Sequence, residues 1–123
     1  MNTLLGIPPR QPDVIFRRSG QFDLTARVVR LLDIAPGDVI DIIADDGEFY
    51  LYIARHAPSG RYRGRVVRSK PHTRSCHFRG SSSALCRAIL RVVGHTDKAE
   101  LYCGALTTLP GGIPALPIIT RME

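Results

Sequence analysis

The segment Ser19–Ile53, SGQFDLTARVVRLLDIAPGDVIDIIADDGEFYLYI, constrains the fold more than any other part of the chain. It reads as strand, short helix, Gly-Asp turn, strand, tight turn, strand. Val14 to Arg18 precede it as a first strand, apolar and then basic, and Ser19-Gly20 turns the chain into a second strand at Gln21 to Leu24. Thr25 stands where a helix N-cap is expected, its hydroxyl able to accept one of the amides that a first turn leaves unbonded. Val28, Val29, Leu31 and Leu32 recur at helical spacing and predict the buried face, while Arg27 and Arg30 share the outer one. Pro36-Gly37 is expected to end the helical region. Val39 to Ile43 and Phe49 to Ile53 are β-rich, and Asp45-Asp46-Gly47 between them suits a hairpin turn because Gly tolerates positive φ.

The second half repeats this order. Arg61 to Arg68, RYRGRVVR, alternates, so a strand there would put Arg61, Arg63 and Arg65 on one face and Tyr62, Gly64 and Val66 on the other. Cys76 to Phe78 predicts a further short strand, and Ser81 to Ser83 offer caps for a helix ending near Gly94. Leu85, Ile89, Val92 and Val93 form its apolar stripe, with Arg87 and Arg91 four apart elsewhere. Ala99 to Leu106 and Ala115 to Thr120 close the chain as strands joined through Pro110-Gly111-Gly112. The expected fold class is mainly β with two short helices: a single-chain, pseudo-two-fold cradle-loop barrel, built of halves 14–53 and 61–120. Closing a barrel within one chain removes exposed sheet edges. The expected organisation is a flexible arm at 1–12, which carries three prolines, and one barrel domain at 13–123. Val28, Leu32, Ile40, Ile42, Leu85, Ile89 and Val92 are the expected core.

Charge is distributed unevenly. Residues 1–48 carry five basic and eight acidic side chains, whereas residues 49–96 carry ten basic and none acidic. Fifteen of the 17 cations are Arg, which favours bidentate phosphate and base contacts. A face that served only solubility would normally mix both signs. At 44% hydrophobic content the chain is globular, and no apolar run approaches the roughly 18 residues of a membrane span. The start, MNTLLGIPPRQP, lacks the charged and long apolar regions of a signal peptide. Three cysteines without close pairing predict free thiols in a reducing cytoplasm.

Gly20, Leu24, Leu32, Ile34 and the Gly37-Asp38 turn sit where the AbrB-type swapped-hairpin regulators carry their strand-helix-turn signature, and residues 14–53 resemble that family. The tandem arrangement looks like the MraZ type of the same superfamily. The helix followed by a Gly-Asp turn is shared with double-psi barrels, so that variant stays open. The resemblance implies DNA binding, with Arg17 and Arg18 on the first strand and Arg30 on the helix as contacts. It also implies homodimers, although a chain holding both halves can build its barrel alone and dimerise through another surface. Gln21 stands where many members have Arg, and Asp33 replaces a common Gly.

No catalytic constellation stands out, and neither enzyme activity nor a cofactor is expected. Cys76, His77, His72 and Cys86 match no closed zinc spacing; Cys86 reads better as packed against the neighbours of its helix, and of Cys103 and Leu101, which share a strand, one is expected in the core. Asp45, Asp46 and Glu48 read as a solvated hairpin tip rather than a cation site, and the Gly111-Gly112 loop lacks the Lys of a phosphate loop. Nucleic-acid binding has a physical account: Arg61, Arg63 and Arg65 on one strand face, extended by Arg68, Lys70 and Arg74, together with Arg17, Arg18 and Arg30. The expected partner is DNA, with RNA as the variant, and no membrane. The alternative is a protein-interaction barrel, antitoxin-like or assembling. The few residues after Ile119 weigh against an antitoxin.

Overall fold

The structure, a computed structural model, describes residues 11–54, 64–68 and 77–120. Residues 1–10 of the expected arm at 1–12 and the predicted strand start at 61–63 lie outside them. In order come β1 (Val14–Arg17), β2 (Gln21–Leu24), α1 (Ala26–Leu32), β3 (Val39–Asp45), β4 (Glu48–Ile53), β5 (Gly64–Arg68), β6 (Phe78–Ser81), α2 (Ser83–Val93), β7 (Lys98–Cys103), β8 (Thr107–Leu109) and β9 (Ile113–Ile119).

Local chemistry sets the turns. Asp46 and Gly47 both take positive φ, 54° and 80°, between the paired residues Asp45 and Glu48. That is the two-residue turn whose twist matches the flanking strands, and Asp-Gly is among its preferred sequences. Both helices end the same way. Asp33 and Gly94 adopt left-handed conformations, and the amides of Ile34 and His95 donate back to the carbonyls of Val29 and Leu90, both at 3.0 Å. Asp33, not Pro36-Gly37, therefore terminates α1. Ser82 caps α2, its hydroxyl accepting from the Leu85 amide at 3.1 Å. Thr25 occupies the N-cap of α1 but makes no such bond; its hydroxyl donates to the Asp13 carbonyl at 2.9 Å.

The strands close a barrel. Their order is β4-β3-β5-β6-β2-β1-β7-β9, and β9 returns to pair with β4. β8 prolongs β7 along the same edge of β9, after a break at Gly104. Every pairing is antiparallel. Exchanging β1 with β5, β2 with β6, β3 with β7 and β4 with β9 maps the eight barrel pairings onto themselves, with β2–β6 and β4–β9 on the axis. The β1–β2 hairpin thus lies between β6 and β7, strands of the other half. The fold is mainly β with two short helices and a closed eight-strand barrel, as the repeated element order predicts.

The barrel interior is filled by Val14, Phe16, Phe22, Leu24, Ile40, Leu51, Val66, Phe78 and Leu116. The Phe16 and Phe22 rings lie 6.1 Å apart in a tilted arrangement. α1 adds Val28, Val29 and Leu32, and α2 adds Leu85, Cys86, Ile89 and Leu90. α2 packs against β1, β2 and β7, which turns its stripe toward Cys86 and Leu90 and leaves Val92 43% exposed. Ile42 is only half-buried. Val92 and Ile42 are thus not the core residues that their spacing predicts; both line a shallow groove of about 90 Å3 between α2 and the β3–β4 hairpin. Truncation of Ile89 to Ala, which empties a fully packed site, should cost about 2–5 kcal/mol in urea unfolding, whereas Val92→Ala should cost well under about 1 kcal/mol.

Candidate nucleic-acid interface

The inward residues of β5, β6, β2, β1 and β7 fix what the outer face of that sheet displays. Val66, Phe78, Gly80, Phe22, Leu24, Val14, Phe16, Ala99 and Leu101 point into the barrel and are buried. Their neighbours, Arg65 and Val67, Arg79, Asp23, Ile15 and Arg17, and Lys98 and Glu100, therefore lie outward. The register places Val67 opposite Arg79, Arg79 opposite Asp23, Asp23 opposite Ile15, and Arg17 opposite Lys98. Arg65 is then a diagonal neighbour of Arg79 on the same face.

Asp23 organises this face. It is 2% exposed, although strand alternation puts it outward. Arg79 Nε donates to its Oδ1 at 2.7 Å, His77 Nε2 lies 3.2 Å from the same oxygen, and Arg17 pairs with Oδ2. Burial pushes the Asp23 carboxyl up, but the hydrogen bonds from Arg79, Arg17 and His77 together outweigh it and hold it below the usual carboxylate range. A folded pKa lowered below the ordinary value of 3.8 contributes stability that is present above that pH and lost as pH falls through the folded value. Asp23→Asn should cost about 1–3 kcal/mol at neutral pH, toward the lower end because the Arg17 and Arg79 side chains are 32% and 43% exposed. The difference from wild type should shrink as the pH is taken below 3.8, which urea titrations at several pH values would measure.

The predicted contacts are distributed as follows. Arg17 is on the sheet face, tied to Asp23. Arg18 is exposed in the β1–β2 turn, where its amide donates to the Asp97 carbonyl at 2.8 Å. Arg30 is exposed in the last turn of α1, a helix that packs against β9 and so stands apart from the five-strand face. Arg65 is exposed on β5, and Arg68 ends that strand. Arg61, Arg63 and Arg74 lie outside the described residues. Arg27 does not share the outer face with Arg30: its guanidinium donates to Asp13 Oδ2 at 3.1 Å and to the Cys103 carbonyl at 3.2 Å.

Arg79 joins the face without having been singled out in the sequence. Alternation from Phe78 would place it outward, but its partner Asp23 is 56 residues away. Arg87 and Arg91, exposed on α2, come together with Arg18 across an open cleft. Cys86 and Cys103 are both buried, and burial pushes the Cys86 thiol up. Among the described residues no group of His, Cys, Asp and Glu is arranged to hold a metal ion, and no helix is long and apolar enough to cross a membrane.

Comparison with family models, with curated proteins and with solved structures finds no match to this chain.

Proposed function

We propose that this chain is a nucleic-acid-binding protein of the AbrB-type swapped-hairpin kind, a DNA-binding transcription regulator working through an arginine-rich barrel face. The carrying observation is the outer face of the β5-β6-β2-β1-β7 sheet, where Arg65, Arg79, Arg17 and Lys98 are collected and Asp23 holds two of the guanidinium groups in fixed places. Anchored guanidinium groups lose less side-chain freedom when they engage phosphate oxygens. The interleaving of each hairpin with strands of the other half is what a swapped-hairpin barrel requires, and it supports the family reading of residues 14–53. In this reading Arg61, Arg63, Arg65, Arg68 and Arg74 hold the backbone with Arg17 and Arg18, while Arg30, on a helix, is the better placed for base readout.

The test is binding of the purified chain to mixed duplex DNA, to duplex RNA and to single strands at two salt concentrations. Duplex affinity should fall steeply with salt. The triple substitution Arg61→Gln, Arg63→Gln, Arg65→Gln should flatten the log–log slope by about 3 and weaken binding across all sequences, with the melting temperature preserved. Absence of binding to every nucleic acid at low salt would reject this reading. The shallow apolar groove between α2 and the β3–β4 hairpin would then favour the alternative of a protein-interaction barrel.

A further inference from the structure

The turn that follows α2 builds a second basic feature, distinct from the sheet face. Gly94 reverses the chain, and His95 and Thr96 run back beside the last turn of the helix. The bond from the Arg18 amide to the Asp97 carbonyl stitches the β1–β2 turn to this segment. Between them opens a cleft of about 520 Å3 lined by Arg18, Arg87, Leu90, Arg91, His95 and Thr96.

The lining chemistry is specific. Three arginines, one from the β1–β2 turn and two from α2, line one concavity, and among the described residues no carboxylate lines it. Among the described residues, none of the three is held in an ion pair. This separates them from Arg17, Arg27 and Arg79, each of which is paired with a buried aspartate. Leu90, 6% exposed, contributes an apolar floor. His95 is held in place because its Nδ1 donates to the Lys98 carbonyl at 3.0 Å. A carbonyl can only accept, so this bond assigns the Nδ1 hydrogen and leaves Nε2 for a ligand. Arginines gathered in one cleft select phosphate oxygens, and an apolar floor selects a group that carries more than phosphate.

We propose that this cleft binds a nucleotide, its phosphates on Arg18, Arg87 and Arg91 and its sugar or base against Leu90. The nucleotide can come from a free nucleoside triphosphate or from a single-stranded nucleic acid, since both present the same groups. The site does not depend on the sheet face as a duplex-binding surface.

Calorimetric titration of the full chain with a nucleoside triphosphate, with inorganic pyrophosphate and with a short single-stranded oligonucleotide tests it. The triphosphate should bind more tightly than pyrophosphate, because only the former reaches the apolar floor. Arg87→Gln with Arg91→Gln should weaken nucleotide binding by about tenfold or more. Asp45→Asn, at the β3–β4 turn, should leave it unchanged. If the oligonucleotide alone binds with the same dependence on Arg87 and Arg91, the source is a strand rather than free nucleotide, and the assignment of the cleft stands. Failure of both nucleotide and oligonucleotide to bind overturns the proposal, as does equal weakening by the α2 pair and by Asp45→Asn. Duplex binding that persists while nucleotide binding is absent overturns this site alone and leaves the sheet-face reading intact.

Discussion

Gly80→Ala should cost the barrel roughly 3 kcal/mol and lower its melting temperature by roughly 10 °C, one of the two largest effects expected of any single substitution here. Gly80 faces inward on β6 and pairs directly with Phe22 on β2 and Val66 on β5. A Cβ at this position would lie 2.3 Å from Phe22 Cζ, 2.8 Å from Phe22 Cε1 and 2.9 Å from the Arg65 carbonyl oxygen. The requirement is for space and not for an unusual backbone angle. The Phe22 ring cannot retreat freely, because it packs against Phe16 inside a filled barrel. The Arg65 oxygen is backbone, and moving it would disturb the β5–β6 ladder that displays the arginine face. Phe22→Leu should therefore rescue Gly80→Ala only in part, and the two should couple strongly in a double-mutant cycle. Gly47→Ala offers a contrast. Nothing lies within 4 Å of a Cβ there, so only its φ of +80° opposes the change, at about 1 kcal/mol. Urea unfolding of these variants separates crowding from backbone strain. A Gly80→Ala barrel as stable as wild type would show that the β2–β6 seam is looser than these distances imply.

The strand and helix order was legible because hydrophobic period and turn chemistry agree along most of the chain. Asp46-Gly47, Ser82 and Gly94 each carry a local signal strong enough to act without tertiary help. What stayed hidden depends on partners distant in sequence. Asp23 alternates with Phe22 and Leu24 and so reads as a solvated outer residue. It is buried because Arg17 reaches it from β1 and Arg79 from β6. Arg27 reads as an outer-face partner of Arg30 because three-residue spacing says nothing about a buried carboxylate opposite the helix. On α2, the apolar residues Leu85, Cys86, Ile89, Leu90, Val92 and Val93 cover too wide an arc for periodicity to choose the buried side. Packing on β1, β2 and β7 makes that choice. The same limit applies to the basic residues. Composition revealed an acid-free stretch, but the division of its arginines between a sheet face and a cleft follows from strand register and from the turn after α2.

The other large effect is expected at Asp13, where replacement by Ala should cost about 2–4 kcal/mol. Asp13 precedes β1 and is 2% exposed. Its Oδ2 accepts from the Cys103 amide at 2.7 Å and from Arg27 at 3.1 Å. Its backbone carbonyl accepts from the amide of Thr25 at 3.1 Å and from the hydroxyl of the same residue at 2.9 Å, and its amide donates to the Leu101 carbonyl at 2.9 Å. One residue therefore joins the start of β1, the first turn of α1 and the end of β7, elements that come from both halves of the barrel. Ala would preserve the backbone bonds but leave the buried Cys103 amide without its acceptor and the Arg27 charge without its counterion. The buried Cys103 amide left without an acceptor carries most of this loss, because the Arg27 side chain is 34% exposed and water screens its unpaired charge. Asp13→Asn distinguishes the two components. Its amide oxygen can still serve the Cys103 amide, but it no longer neutralises Arg27, so the loss should fall to about 1–2 kcal/mol. A further change of Arg27 to Met in the Asn background removes the stranded charge and should recover part of that loss. Added salt should change these differences little, because a carboxylate this enclosed is poorly screened. Equal stability of wild type and the Ala variant in urea unfolding would mean that Asp13 does not hold the two halves together. The closure of the barrel would then rest on strand pairing alone.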